Sequence, residues 1–186
     1  AVIGAYQPYS RWPDVTLGLR WETPDWHIQW ANVFRDLATQ SAIDDATRTT
    51  EAYATQLTFA AGVFEDDSVQ GWVSTGKGYA NFLQDITGFG LDAAFTPALQ
   101  LEAIDAEGYG VGYTHNWHEG LTSSASYGYL KIDPDDDLLI DSTLPQSTNY
   151  ASLNLAWQFS DRAMLGGELL WGRLEDLAGN SGEAKR

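Results

Sequence analysis

The chain of 186 residues has no cysteine and only 10 basic residues against 26 acidic ones. The missing cysteine excludes a disulfide-stapled small scaffold and thiolate metal sites, and leaves the compartment open. With a net charge of −16 there is no clustered Lys and Arg surface for phosphates, so nucleic acid is excluded as a partner. The plainest reading of the acid excess is a solvated surface. No apolar run approaches the roughly 18 to 20 residues that a membrane-spanning helix needs. A helical membrane protein is thereby excluded, but a barrel is not, because barrel strands place their apolar residues at every second position. The opening Ala1-Val-Ile-Gly-Ala-Tyr6 has no basic start of a secretion signal and reads directly as strand, as expected if processing or truncation has removed a leader.

What is abundant is aromatic and glycine: eight Trp, nine Tyr, seven Phe and eighteen Gly. Aromatics favour strands, and Trp and Tyr gather where a protein surface meets lipid headgroups. Alternation of apolar residues runs almost throughout, with no helix of several turns. The expected strands are Ala1 to Gln7, Val15 to Glu22, Trp26 to Leu37, Glu51 to Phe64, Val69 to Tyr79, Gly108 to Trp117, Leu121 to Ile132, Tyr150 to Phe159 and Ala163 to Leu174. In the second, Val15, Leu17, Leu19 and Trp21 share one face and Thr16, Gly18, Arg20 and Glu22 the other. Tyr109, Val111, Tyr113 and Trp117 likewise oppose glycines, Thr114 and Asn116, and Leu153, Leu155, Trp157 and Phe159 oppose Ser152, Asn154, Ala156 and Gln158. One face is apolar and the other small and polar.

A soluble sandwich alternates too, so the links between strands must discriminate. Thr23-Pro-Asp25, Glu65-Asp-Asp-Ser68, His118-Glu-Gly120 and Ser160-Asp-Arg162 are tight turns. Between them lie the longer segments Ala38 to Thr50, Ala80 to Glu107, Asp133 to Asn149 and Glu175 to Lys185. Regular alternation of short and long links is the pattern of an antiparallel up-and-down transmembrane β-barrel with short periplasmic turns. On that assignment Trp21, Trp26, Phe64, Trp117, Trp157 and Phe159 fall at periplasmic ends, and Tyr53, Tyr109, Tyr129 and Trp171 at outer ends. These are two aromatic girdles. Tyr109 and Trp117 are eight steps apart, about 20 Å along the membrane normal at a tilt of about 40°. The expected fold is all-β, residues 1–186 forming part of a single transmembrane β-barrel domain truncated at both ends. The rival from another class is a secreted soluble all-β carbohydrate-binding module, which has no need of two girdles or alternating link lengths.

The stretches Asn149-Tyr-Ala-Ser-Leu-Asn-Leu-Ala-Trp157, Gly167-Glu-Leu-Leu-Trp-Gly-Arg173 and Gly179-Asn-Ser-Gly-Glu-Ala-Lys-Arg186 resemble the closing strands and last outer loop of DcaP-like porins. Gly76-Lys-Gly78 and Ser126-Tyr-Gly-Tyr129 are similar to earlier strands of that family. The resemblance implies a homotrimeric, sixteen-stranded channel in the outer membrane of a Gram-negative bacterium, of which about nine strands are present here. It implies contact with outer-membrane lipid and lipopolysaccharide, an N-terminal periplasmic helical segment, and passive diffusion of small hydrophilic solutes such as dicarboxylates. The acidity of the chain departs from what an anion channel suggests. The family pattern also continues past Arg186 into a last strand, without which an open edge in hydrocarbon leaves backbone groups unpaired.

Residues that could carry other chemistry have simpler explanations. Gly71-Trp-Val-Ser-Thr-Gly-Lys77 has phosphate-loop spacing, but Gly78 replaces the required Ser or Thr and no helix follows. Gly108-Tyr-Gly-Val-Gly112 lacks the helix and acidic partner of a dinucleotide turn. His27, His115 and His118 lack zinc-ligand spacing. An outer-membrane lipase would need a serine beside His115 on the lipid side, and the sequence assigns none. Asp133-Pro-Asp-Asp-Asp137 and Ile43-Asp-Asp45 miss the spaced calcium pattern and read as solvated loop charge. No enzyme activity, metal or cofactor is expected. The pore-lining candidates are Arg20, Arg35, Gln56, Asn116, Asn154 and Glu168, placed by parity on the small face; each could instead brace the wall. The girdle candidates are Trp21, Trp26, Tyr53, Tyr109, Trp117, Tyr129, Trp157 and Trp171. Ala80 to Glu107 contains Phe82, Leu83, Ile86, Phe89, Leu91 and Phe95, too apolar for a freely solvated loop, and is the expected pore-narrowing segment.

Overall fold

Alternating β-branched, aromatic and small residues favour pairing across strands, and the computed structural model, which describes residues 6–186, is built almost wholly of antiparallel pairs. In chain order the strands are β1 (Tyr6–Tyr9), β2 (Val15–Glu22), β3 (Trp26–Ser41), β4 (Thr47–Val63), β5 (Asp67–Lys77), β6 (Ala93–Phe95) and β7 (Leu101–Ala103). They continue as β8 (Asp105–His118), β9 (Leu121–Asp133), β10 (Pro145–Ser160), β11 (Ala163–Asp176) and β12 (Ser181–Lys185). Single 3-10 turns at Ala80–Phe82 and Gln84–Ile86 are the helical pieces among the described residues. The main sheet runs β1-β3-β4-β5-β8-β9-β10-β11-β12, with β2 also on β3, and it is not closed.

Two strand expectations are corrected. Of the first expected strand, Ala1 to Ala5 lie outside the described residues. The remainder, β1, is not an independent barrel strand: it pairs with Ala38 to Ser41 of β3, while β2 pairs with His27 to Phe34 of the same strand. The two are one edge strand interrupted by Ser10 to Asp14, where Pro13 has no N–H to donate. At the other end Ser181–Lys185, read as loop, is a strand on β11 in the register Trp171 opposite Lys185.

Link lengths are corrected as well. The short turns stand where expected, but β3 and β4 continue their ladder to Gln40 opposite Thr47, leaving residues 42–46 as the link. The segment expected from Glu175 to Lys185 shrinks to residues 177–180, and that from Asp133 to Asn149 to residues 134–144. Polar strand extensions such as Thr47-Arg-Thr-Thr50 look like loop in sequence because they lack an apolar face. The strands are simply longer than their apolar parts. Residues 78–104, between β5 and β8, remain a long link with structure of their own.

That link folds back over one face of the sheet. Tyr79, Ala80, Leu83, Ile86, Leu91 and Ile104 are buried against Val33, Ala54, Ala106, Leu130 and Ile132 of the wall. Burial of each large aliphatic side chain stabilises the link by about 1.5–3 kcal/mol. The turn inward is made at Gly78, whose φ of +68° and close approach to the Cβ of Ala52 leave no room for a side chain. The opposite face carries no such cover. Val15, Leu17, Leu19, Trp21, Val111, Leu153, Leu155, Leu165 and Leu169 on it are between 48% and 70% exposed.

Candidate functional site

The register assigns every strand residue to the link-covered face or the bare face. The row Arg20, Gln29, Thr58, Trp72, Gly110, Gly128, Tyr150 and Gly172 runs directly across the covered face, each residue opposite the next. Adjacent rows on that face pass through Gln70, Gly112, Ser126 and Ser152, and through Gln56, Ser74, Gly108 and Leu130. Ser126 and Ser152 share a hydrogen bond of 2.7 Å between their hydroxyls. Polar and small residues therefore cover this wall, as its alternation demands.

Below the folded link lies a cavity of about 880 Å³, lined by the wall residues His27, Gln56, Thr58, Gln70, Trp72, Ser126 and Tyr150 and by Phe82, Gln84 and Asp85 of the link. Trp72 lies over Gly110 and Gly108: a Cβ at Gly110 would stand 2.5 Å from the indole Nε1, and one at Gly108 3.1 Å from Cη2. Glycine at 110 makes room for the indole, while at 108 a side chain would also run into Leu130. The sequence reading missed Trp72 and Tyr150, although both sit at even positions beside Gln70, Ser74 and Ser152, and that parity was the available signal.

The link is fixed across several strands. Arg35 on β3 is 11% exposed and donates from Nε to Asp14 at 3.0 Å, and from Nη1 to Asp92 at 2.7 Å and to the carbonyl of Gly78 at 2.5 Å. Its guanidinium also lies 5.1 Å from the Phe82 ring centroid. Arg48 donates to the carbonyl of Leu99 at 3.0 Å, and Thr148 on β10 donates to Asp85 at 3.1 Å. Tyr79 donates to the carbonyl of Ala106 at 3.0 Å. Leu139 of the next link donates to the carbonyl of Phe95 at 2.7 Å. Sequence could not pair Asp92 or Asp85 with these groups, since they are 57 and 63 residues from their partners.

All six pore-lining candidates stand on the covered face, but in different surroundings. Arg20 is exposed and paired with Glu22 at 2.6 Å. For Arg35 the partners are Asp14 and Asp92, while Asp36 faces Arg11 at 3.4 Å. Gln56 is exposed to the cavity, and Asn154 is opposite the exposed Glu168. Asn116 sits at the end of β8 beside a bulge, where its side chain donates to the carbonyl of Asp66 and its backbone N–H to Asp67 at 3.1 Å. It fastens a turn.

The eight girdle candidates stand on the bare face. Trp21 and Trp26 have ring centroids 5.7 Å apart at the short-turn end, where Trp117 donates to Ser123 at 3.1 Å and Trp157 lies 5.5 Å from Phe159. At the other end Tyr109 stacks 5.5 Å from Tyr129, and Lys77 lies 5.7 Å from the Tyr53 ring, with Trp171 opposite Ala151. His115 is also on this face, 2.9 Å from the buried Asp67, which additionally accepts from the Tyr113 hydroxyl. Ser123 stands opposite His115 in the ladder, but its hydroxyl accepts from Trp117. Gly71 to Lys77 lies wholly within β5, so it forms no phosphate loop. Among the described residues, no group of three or more His, Asp or Glu converges as a metal site.

The architecture can be compared with solved structures. The crystal structure of the outer membrane channel DcaP of Acinetobacter baumannii superposes with a TM-score of 0.79 over 97% of this chain, at 14% sequence identity. The fold is that of an outer-membrane channel wall. The chain spans 51% of that channel's length. No family model and no curated protein matches the sequence. At this identity the likeness is one of fold, retained by face alternation and strand order while most side chains differ.

Proposed function

We propose that this chain forms part of the wall of a porin-like channel in a bacterial outer membrane, through which small hydrophilic solutes diffuse passively. The observation that carries the reading is the contrast between faces. The bare face is a continuous apolar surface edged by two aromatic rows, far more than a soluble monomer leaves in water. The covered face is glycine, amide and hydroxyl, and a link anchored from β3 to β10 narrows the space beside it. A carbohydrate-binding sandwich would bury the apolar face against a second sheet. Here, among the described residues, nothing packs over that face.

In this reading Gln56, Asn154, Glu168 and Arg20 present hydrated polar groups to the permeating solute, while Arg35 and Asn116 act as braces. Hydrated side chains in a narrow water-filled passage bias which solutes enter without binding them tightly. Outer-membrane lipid and lipopolysaccharide contact the bare face, and a trimer of barrels is the assembly proposed. The dicarboxylate preference that the family resemblance suggests finds little support in the cavity, none of whose lining residues is Lys or Arg. Carboxylate recognition relies on such donors.

The reading is tested by adding purified full-length protein to planar lipid bilayers under a voltage. Discrete, uniform conductance steps are expected. Protein that stays monodisperse without detergent and produces no steps would overturn the channel and favour the soluble module.

A further inference from the structure

We propose that the cavity beneath the folded link is a subsite for a neutral, polyhydroxylated solute, a saccharide ring that lies on Trp72. This rests on the channel reading, and it names the solute class that the passage holds best. Three features of the cavity carry it.

The first is shape. In one row across the wall, Trp72 and Tyr150 flank the two glycines Gly110 and Gly128, which add no side chains of their own between them. Three strand spacings separate the flanking residues, about 14 Å between backbones. The indole lies close over Gly110, where a Cβ would meet Nε1, and Trp72 lines the cavity beside the three glutamines.

The second is the chemistry of the rim. Gln56, Gln70 and Gln84 line the same cavity. A primary amide offers both a donor and an acceptor, which is what a sugar hydroxyl needs. Hydrophobic C–H faces of a sugar pack on an indole while its edge hydroxyls reach amides, the usual division of labour in a polar-ligand pocket.

The third is charge. The lining contains no Lys or Arg, and Arg35, whose guanidinium lies over Phe82 of the link, is already paired with Asp14 and Asp92. Besides tyrosines, the titratable side chains of the lining are Asp85, which accepts from Thr148, and His27. A dianion would find no cationic side chain in this lining to pair with. A neutral polyol loses nothing there.

The test is current block in planar bilayers by maltotriose added to the full-length channel. Block that deepens with maltotriose concentration is expected, together with much weaker block by succinate. Trp72→Ala should raise the half-blocking concentration about tenfold, the range expected for losing one stacked aromatic contact. Trp72→Phe should retain most of the block, and Tyr150→Ala should weaken it, so the outcome does not hang on one variant. A conducting wild type that maltotriose does not block, or whose block is unchanged by both alanine variants, overturns the subsite and leaves the channel intact. Absence of any conductance overturns the channel reading itself, and the subsite with it.

Discussion

Leu153 and Asn154 are adjacent on β10 and stand on opposite faces, so arginine at each isolates what lies on the two sides of the wall. Leu153 is 54% exposed on the bare face, opposite Ala125 on one side and Leu169 on the other. It is four residues from Asn149, at the level of Tyr129, and four from Trp157 in the other aromatic row. Four steps of about 3.3 Å at a tilt near 40° amount to about 10 Å, which places Leu153 near the bilayer midplane. Arginine there should cost roughly 2–4 kcal/mol, and at Leu155, closer to Trp157, less. Asn154→Arg faces Glu168 and water, so its cost should be within about 0.5 kcal/mol of zero. Equilibrium urea unfolding of the full-length protein in lipid vesicles measures both. Equal stability of the two variants, or the reverse order, would refute the assignment of faces.

Arg35→Ala should release the link from β3: two carboxylates and a carbonyl lose their donor, a local loss of roughly 1.5–3 kcal/mol, seen as faster amide exchange in residues 78–104 and noisier or larger conductance. Arg20→Ala, by contrast, should leave the link ordered and move the reversal potential toward cations, because Glu22 is then unneutralised in the passage; an unchanged potential would remove Arg20 from selectivity. Two outer links should also loosen in acid. In residues 134–144 the Asp141 carboxyl is held below the ordinary 3.8 by the backbone N–H and then the hydroxyl of Thr143, and in residues 42–46 Asp44 is lowered by Ser41 and the N–H of Ala46. Since both values are depressed on folding, the order they confer is complete above about pH 3.8 and is lost as pH falls through the lowered values. Amide exchange in both links, corrected for its intrinsic pH dependence, should rise below that pH in the wild type, and Asp141→Asn should abolish the rise in residues 134–144 while leaving it in residues 42–46.

Much of the wall was legible because alternation is a local signal. Val15, Leu17, Leu19 and Trp21 announce a face without knowledge of any partner, and the register of β2 on β3 then carries that face to Ile28, Trp30 and Phe34. Strand ends were less legible where polarity continued past the apolar part, as in Thr47 to Thr50 and Ser181 to Lys185. Their pairing is decided by the neighbouring strand rather than by their own composition. The apolar content of residues 80–107 foretold a packed segment, but not its anchors. Arg35 illustrates why: on β3 it follows Val33 and Ala31 on a mixed face, and only the folded link shows that Val33 belongs to the buried cluster with Ile86 and Leu91 while Arg35 holds Asp92. Trp72 was hidden by the opposite difficulty. Aromatics in such a chain suggest the lipid boundary, and its glycine seat lies on β8, 36 to 38 residues away.

These 186 residues contain no cysteine, so single cysteines placed along β10, read against the unsubstituted protein, map water and lipid on the wall. Ser152→Cys, Leu153→Cys, Asn154→Cys and Leu155→Cys in the full-length protein, inserted in bilayers, can each be exposed to a charged, membrane-impermeant thiol reagent while conductance is recorded. Positions 152 and 154 should react and reduce the current, whereas 153 and 155 should stay unreactive and leave it unchanged. Equal reaction at all four, or reaction at the odd positions alone, would contradict a wall with a water-filled passage on one side and lipid on the other.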